Sequence, residues 1–437
     1  MRSPTIAARI AFHLRKLLPL ALLPLALVAA SCGGGGASGE IRFLVFGEPA
    51  ELQAFRSVVS EFREVEPEIV VTLVEASDRD DLIARVSTSF AGGQPPDLFL
   101  INYRFYGQFA HRGVLEPIQG RLDDSTAFEE DDFYPQALDA FRLDGEVVCL
   151  PQNISSLVVY YNRDLFRAAG VPEPEPGWTW DDMVEKAIAL TRDENEDGNV
   201  DQYGLGVEPS LIRIAPFVWS NGGELVDDLE RPTRFTLDSP AADEAMRMFF
   251  ELRQLHLVVP TEEEIESEDD ETRFLNGRSA MVLSSRRATP TFRTITDFDW
   301  DIAPLPRHRE PAGILHSDAY CMTAASEEKD AAWRFMEFAL GPEGQRITAR
   351  SGRTVPSLIE VSRSEAFLDP TAKPANSRVF LDTIPYIRRV PSISTWPEIE
   401  DASDGILEGG LYENVPTAEV TRQLNARTGP IFARAER

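Results

Sequence analysis

The sequence predicts an α/β fold with two domains. Short apolar runs rich in β-formers alternate with longer segments whose apolar residues recur at helical spacing, which is the pattern of a parallel sheet with helices on its faces. The chain has 437 residues, more than a single hydrophobic core usually organises. Its hydrophobic content of 43 % excludes disorder as the main state of the chain.

The first predicted elements follow a Gly-rich stretch near the N-terminus. Strands are predicted at residues 41–46, 69–74 and 98–101, and helices at residues 49–66 and 78–91, from the period of their apolar residues. Ligands on such sheets bind beyond the C-terminal ends of the strands. The loops after the first and third strands are therefore the expected binding edge.

The alternation continues along the chain. Further strands are predicted at residues 147–151, 157–161, 280–283 and 301–303. Thr179 is expected to cap a helix, and Ser326 is expected to cap another helix that ends at Gly341. The acidic run at residues 262–271 is interpreted as a solvated helix face or loop.

Composition excludes several classes of function. The formal net charge of −29 repels nucleic acid and anionic lipid, so no nucleic-acid partner is expected. The five histidines have no clustered spacing, and the common hydrolase, metalloprotease and phosphate-loop signatures are missing. No catalytic residue and no cofactor are therefore predicted. Beyond the N-terminal region, no apolar segment is long enough to cross a membrane.

The N-terminus has the features of a secretory signal. Basic residues precede an apolar run at residues 17–30, which is too short to span a bilayer comfortably and ends in small residues. The following sequence resembles a bacterial lipobox, in which Cys32 is acylated. Residues 1–31 are thus predicted to be a lipoprotein signal peptide, and residues 32–39 an acylated cysteine with a flexible tether. An ordinary signal peptide with an incidental cysteine is the alternative.

Four segments in chain order resemble the extracellular solute-binding protein family 1, the sugar-type binding lipoproteins of ABC importers. They are GGQPPD at residues 92–97, YNRDLF, AGVP and TWDD within residues 161–182, FLNGRSAM at residues 274–281, and DIAPLP, AWRF and GPEGQ within residues 301–345. Each motif alone is weak. Together they cover most of the chain in the family's order.

The resemblance implies a two-lobed periplasmic-binding-protein fold, in which a hinge lets the lobes close on a ligand. By similarity, lobe 1 comprises residues 40–150 and 305–365, and lobe 2 comprises residues 151–304 and 366–437. Aromatic rings would stack on sugar rings, while polar side chains bind hydroxyl groups.

The function implied by the resemblance is that of an extracytoplasmic substrate-binding protein. Such a protein captures a carbohydrate and delivers it to the transmembrane subunits of an ABC permease, as a monomer anchored by lipid in the periplasm or on the outer face of the membrane. Two alternatives stay open. One is the same fold with an anionic solute, such as a sugar or polyol phosphate, and the other is an anchored glycan hydrolase.

Ligand-binding candidates follow from the family motifs and from loops after strands. Trp219, in a W-x-x-GG segment, and Trp396 are candidates for stacking on the ligand, although each fits a core tryptophan equally well. Arg287 follows the third motif, where the family commonly has Gly and Trp, and could bind hydroxyls or an anion. The polar candidates, which could instead cap turns, are Glu48, Asn102, Tyr103, Asn153, Ser155, Asp318 and Tyr320.

One acidic loop has the spacing of a calcium site. Oxygen ligands at its first, third, fifth and ninth positions would come from Asp193, Asn195, Asp197 and Asp201. The twelfth position is Gly204, where an EF-hand has a bidentate Glu. A plain acidic turn is the alternative, and no metal is assigned.

Two cysteines remain after Cys32. In the family, the strands that would carry Cys149 and Cys321 neighbour each other, so the resemblance implies a possible disulfide. Two buried thiols that act as small apolar side chains are the alternative.

Overall fold

The structure of the protein, a computed structural model, describes residues 39–436. The predicted signal peptide and Cys32 lie outside the described residues. Within these residues, the strands are β1 Gly39–Val45, β2 Ile69–Glu75, β3 Leu98–Asn102, β4 Arg142–Leu143, β5 Glu146–Val147, β6 Cys149–Pro151, β7 Val158–Asn162, β8 Met281–Ser284, β9 Trp300–Ala303, β10 Gly313–Ile314, β11 Asp318–Met322 and β12 Ile387–Arg388.

Helices connect and cover these strands. They are α1 Pro49–Val65, α2 Arg79–Ala91, α3 Tyr103–Ala110, α4 Gln119–Asp123, α5 Pro135–Leu138, α6 Arg163–Ala169, α7 Trp180–Leu190, α8 Leu211–Ser220, α9 Pro240–Gln254, α10 Glu262–Ser267, α11 Asp270–Leu275, α12 Thr289–Phe292, α13 Lys329–Leu340, α14 Pro342–Arg350, α15 Ile359–Ser362, α16 Val379–Asp382, α17 Trp396–Tyr412 and α18 Thr417–Ala433. Short 3₁₀ turns lie at Glu130–Asp132, Asp139–Phe141, Arg286–Ala288 and Ile384–Tyr386. In the part of the chain described, no helix has both the length and the apolar character needed to span a membrane.

A five-stranded sheet organises the first lobe, in the order β2-β1-β3-β11-β6. The first three strands pair in parallel, as their alternation with helices predicts. β11 then pairs antiparallel with β3 on one side and with β6 on the other. A strand from late in the sequence thus completes a sheet that the N-terminal strands begin.

A three-stranded sheet organises the second lobe, in the order β8-β7-β9. Both pairings are antiparallel, so the prediction of a parallel sheet is wrong for this lobe. The reason is topological: β8 lies more than a hundred residues after β7 and runs back along it, while β9 runs back along its other side. The fold remains α/β with two lobes.

One of the two predicted helix caps is confirmed. Thr179 caps α7, and its hydroxyl accepts from the Asp182 backbone N–H at 3.2 Å. Ser326 does not cap α13, whose first residue is Lys329. Its hydroxyl instead donates to Asp97 Oδ1 at 2.6 Å, which ties the loop before α13 to the start of β3.

The two faces of the first sheet belong to different apolar cores. One core lies between the sheet and helices α1 and α13, where the rings of Phe43 and Tyr320 are 4.4 Å apart and Phe335 packs against Phe43. The larger core begins on the opposite face and continues through the connecting segments into the second lobe. The lobes are therefore joined by continuous apolar packing.

Two segments of chain connect the two sheets, and the chain leaves the first lobe a final time after α15. The first connects β6 to β7, and the second connects β9 to β11. The second carries β10, which pairs in parallel with β12 of the C-terminal segment. Helix α17 then packs against α8 and α9 and also against α3 of the first lobe. Gly107 of α3 permits this approach, because a Cβ there would lie 2.1 Å from the carbonyl oxygen of Ser392.

Cys149 and Cys321 face each other across the β6–β11 pair. They are register partners, their Cα atoms are 4.5 Å apart, and their sulfurs form a disulfide. Both residues are completely buried. The bridge fastens the returning strand to the edge of the sheet from which the chain leaves the first lobe.

We expect the mature, unreduced protein to show no free thiol at Cys149 or Cys321. The double variant Cys149→Ala/Cys321→Ala should lose about 5 kcal/mol of unfolding free energy, because the bridge closes a loop of 172 residues and restricts the unfolded chain. Thiol titration in denaturant, on protein that has Cys32 replaced by Ser, and chemical denaturation measure the two effects. Two reactive thiols per chain would contradict the bridge.

Candidate functional site

Three of the predicted polar residues meet where the strands of the first sheet end. Asn102 Nδ2 donates to Asp318 Oδ1 at 3.1 Å, and Asn153 Nδ2 donates to Asp318 Oδ2 at 3.1 Å. The Asp318 backbone N–H donates to Asn153 Oδ1 at 2.7 Å. Asn102 and Asp318 are register partners of the antiparallel β3–β11 pair, which is why residues 216 apart in sequence touch.

Ser155 and Glu48 flank this polar group. The Ser155 backbone N–H donates to the carbonyl oxygen of His316 at 2.8 Å, which places Ser155 in the first connecting segment beside the second. Glu48 is exposed directly before α1, and its charge contributes to a raised pKa at Glu51. Both residues lie at the sheet edge that the strand order predicts.

The charges of three arginines act on His316 in the second connecting segment. Burial lowers the pKa of His316 well below its ordinary value, and the positive charges of Arg213, Arg104 and Arg287 lower it further. The imidazole is therefore neutral at neutral pH. Arg104 comes from α3 of the first lobe, and Arg213 comes from α8 of the second. The arginines thus approach the connecting segment from both lobes.

Each of these arginines has a carboxylate partner. Arg104 Nη1 lies 2.6 Å from Glu400 Oε2, and both side chains are largely buried. Arg213 Nη2 lies 3.4 Å from Glu208 Oε2.

The third pair is Arg287 and Glu271, and Glu271 also accepts from the Ser284 hydroxyl at 2.7 Å. The arginine charges are therefore balanced within the protein, while the guanidinium and carboxylate groups still offer many hydrogen-bond donors and acceptors.

A cavity of about 510 Å³ opens beside two of these pairs. This volume falls in the range of small-molecule sites. Its polar lining comprises Tyr412, two arginines and seven carboxylic acids, which are Arg213, Arg287, Glu208, Glu262, Glu266, Asp269, Asp270, Glu271 and Glu408. Part of the acidic run at residues 262–271 therefore lines a cavity, whereas the sequence suggests only a solvated face or loop.

The carboxylates of this region shift one another's titration. Burial raises the pKa of Asp270 to about 7, and the charges of Glu208 and Asp269 add to the effect. Asp404 is exposed, but partial loss of hydration raises its pKa to about 6, together with the charges of Glu208 and Glu400. These groups stay protonated up to a higher pH than ordinary carboxylates do, so they can donate as well as accept hydrogen bonds near neutral pH.

Tyr103 and Tyr320 do not reach this region as the sequence predicts. Tyr103 is completely buried at the start of α3, and its phenolic oxygen accepts from the Val390 backbone N–H at 3.3 Å. Tyr320 is completely buried in the core between the sheet and α1. Tyr320 lies in the middle of β11, two residues after Asp318, and therefore not at the end of the strand where the polar group lies.

The two tryptophans are also placed in packing positions. Trp219 is 2 % exposed, and the Arg388 guanidinium lies 4.9 Å from its ring centroid. Trp396 is fully buried against Phe235 and Phe432. Trp396 has no open face, and Trp219 borders a cavity of about 150 Å³ beside Arg388. The stacking of either ring on a ligand stays a prediction.

Trp396 nevertheless contacts the polar region indirectly. Its indole Nε1 donates to Glu400 Oε1 at 2.9 Å, while the other oxygen of Glu400 holds Arg104. Trp396 is therefore a positioning residue for this ion pair.

In the calcium-like loop, the side-chain oxygens accept hydrogen bonds from backbone N–H groups of the same loop. Asp193 accepts from the backbone N–H groups of Asp197 and Gly198, and Asn195 accepts from that of Asp197. Asp201 accepts from the Glu194 backbone N–H at 2.8 Å. Across residues 39–436, no three His, Cys, Asp or Glu side chains are grouped to hold a metal ion. The loop has the geometry of an acidic turn.

Among the site residues that sequence reasoning misses are Arg104, Glu208, Arg213, His316 and Glu400. Arg104 lies two residues after the predicted Asn102, so the position after the third strand carries a usable signal. The other four come from helices and connecting segments whose approach to the strand ends depends on the tertiary fold.

The raised pKa of Asp270 predicts how the stability of the folded protein changes with pH. The pKa of Asp270 is raised in the folded protein, so stability falls as pH rises from about 4 to about 7 and stays reduced above that range. Asp270→Asn should therefore be more stable than wild type at pH 8, by roughly 1–3 kcal/mol, and should match it at pH 4. Chemical denaturation across this range measures the difference. An advantage that is independent of pH would contradict the assignment.

Comparison with known proteins agrees with the two-lobed fold. An ABC substrate-binding protein from Listeria monocytogenes, solved with cycloalternan, superposes with a TM-score of 0.82 at 24 % identity, covering 91 % of this chain and 99 % of that one. UgpB from Mycobacterium tuberculosis, solved with glycerophosphocholine, gives a TM-score of 0.76 at 20 % identity, covering 91 % and 98 %.

Sequence relatives point the same way. The maltotriose-binding protein of Pyrococcus abyssi is 26 % identical over 76 % of this chain and 68 % of its own length. The sn-glycerol-3-phosphate-binding periplasmic protein of Escherichia coli is 22 % identical over 81 % and 73 %. The model of the bacterial extracellular solute-binding protein family matches residues 47–346. The chain therefore belongs to the family of bacterial extracellular solute-binding proteins, which bind their substrates and are not enzymes.

Proposed function

We propose that the protein captures a carbohydrate between its lobes and delivers it to the permease of an ABC importer. The observation that carries this proposal is that each arginine of the site is paired with a carboxylate of the protein. Arg104, Arg213 and Arg287 each have a carboxylate partner, and His316 is neutral. A site of paired charges binds hydroxyl groups through many donors and acceptors without requiring a counter-ion from the ligand.

The ligand-contacting residues in this proposal come from both lobes. Asp318, Asn102 and Glu48 come from the first lobe, and Asn153 and Ser155 come from the first connecting segment, where the second lobe begins. In the second lobe, the ligand contacts would come from Arg287 and from the 510 Å³ cavity beside it. Closure of the lobes would bring these groups together and exclude water, which strengthens each hydrogen bond.

The N-terminal region completes the proposal. The family is extracellular, so the chain works outside the cytoplasm. Acylation of Cys32 and the tether that follows it would hold the two lobes near the membrane, where a monomer can meet the transmembrane subunits of the permease. The proposed lobes are residues 40–150 with 305–365, and residues 151–304 with 366–437.

A second candidate ligand is an anionic solute such as a polyol phosphate. The positive charges of three arginines lower the pKa of the half-buried His316, and an anion could compete with the carboxylates for these arginines. Two relatives carry names or ligands of this class, a glycerol-3-phosphate-binding protein and a complex with glycerophosphocholine. The existing ion pairs favour the neutral carbohydrate, because an anion would have to displace a carboxylate of the protein.

A thermal-shift panel separates the two candidates. Maltotriose, maltose and mannitol represent neutral solutes. The anion sn-glycerol-3-phosphate and the zwitterion glycerophosphocholine represent phosphate-bearing solutes. We expect at least one neutral member to raise the melting temperature, since a ligand stabilises the state that binds it. A response to the phosphates alone would support the second candidate. No response to any member would contradict the proposed function.

A matched pair of variants then tests the site. Arg287→Gln should weaken binding of the responding solute by about 10- to 100-fold, the effect of losing a charged hydrogen-bonding partner. Arg422→Gln removes an exposed arginine paired with Glu419 on α18 and should bind as wild type does. Calorimetric titration measures both. Equal affinities for the two variants would contradict the placement of the site at Arg287.

A further inference from the structure

One buried arginine differs from those of the site. Arg286 lies directly after β8, in the 3₁₀ turn Arg286–Ala288, and is 1 % exposed. It does not line the 510 Å³ cavity, to which its neighbour Arg287 contributes.

The guanidinium of Arg286 is enclosed by aromatic and polar groups. Its central carbon lies 4.8 Å from the Phe367 ring centroid and 5.2 Å from that of Phe380. Nη1 donates to the Ser377 hydroxyl at 3.3 Å. The side chain is thus held between two rings of the segment that leads toward β12.

The other edge of the guanidinium has no partner. Nε and Nη2 are buried and form no hydrogen bond, and among residues 39–436 no carboxylate forms an ion pair with Arg286. These two nitrogens direct their N–H groups along the same edge of the planar fork, the edge that typically grips one acceptor with two hydrogen bonds.

A buried positive charge without a counter-ion destabilises the folded protein. The penalty in proteins is several kcal/mol per ion, and two aromatic faces compensate part of it. Burial lowers the pKa of Arg286 to about 9, and the positive charge of Arg293 lowers it further, so the group is still protonated at neutral pH. Water could satisfy the two N–H groups but could not balance the charge.

We infer that the free Nε–Nη2 edge of Arg286 binds a small monovalent inorganic anion, such as chloride, inside the second lobe. A halide accepts both N–H groups at once and neutralises the charge. Phe367, Phe380 and Ser377 enclose the side chain, and no water-sized space borders the two nitrogens, so these neighbours would have to move apart to admit the anion. The anion would act as a structural component and stands apart from the proposed carbohydrate site.

The melting temperature in chloride tests this inference. Chloride is exchanged for methanesulfonate at constant ionic strength, because methanesulfonate has the same charge but is larger. Wild type should gain about 1–3 °C, with a saturable dependence on chloride concentration. Arg286→Met should show no dependence. Arg378→Met, which removes an exposed arginine paired with Asp382, should respond as wild type does.

Bromide provides a second measurement that does not depend on the stability of the variant. Crystals of the wild-type protein soaked in sodium bromide should show an anomalous peak within hydrogen-bond distance of Arg286 Nε and Nη2. A wild-type melting temperature that is unchanged by chloride, or crystals without a peak at this edge, would overturn the inference. A peak that persists in Arg286→Met would overturn it as well.

Discussion

The pairing of β11 with both β3 and β6 is the constraint on which the rest of the structure depends. This strand enters the first sheet after the chain has built most of the second lobe, and it is held by antiparallel ladders on both sides. Its first residue, Asp318, collects Asn102 and Asn153 at the binding edge. Tyr320 packs in the core, and Cys321 forms the disulfide with Cys149. This short strand therefore contributes to the candidate site, to the core and to the disulfide.

Local signals in the sequence predict much of this arrangement. Helical and strand periods place β1, β2 and β3 closely, and parallel pairing of these strands follows from their alternation with helices. The meeting of Asn102, Asn153 and Asp318 at one edge agrees with the rule that strand ends carry the binding loops. The antiparallel second sheet has no such local signal, because its pairing depends on how a long connection returns.

Burial explains the residues for which sequence reasoning fails. A tryptophan in a loop-like motif fits a ligand platform and a core position equally well, and Trp219 and Trp396 take the core positions. The arginine pairs are hidden for another reason: Arg104 and Glu400 lie 296 residues apart. The net charge of −29 likewise conceals a local balance in which guanidinium groups meet carboxylates near the connecting segments.

The central claim is that a solute is captured between two lobes that close on it. Small-angle X-ray scattering tests this most directly, with the protein alone and with saturating solute identified from the binding panel. The radius of gyration should decrease when the solute is bound, because closure brings the lobes together. An unchanged radius of gyration at confirmed saturation would contradict capture by closure.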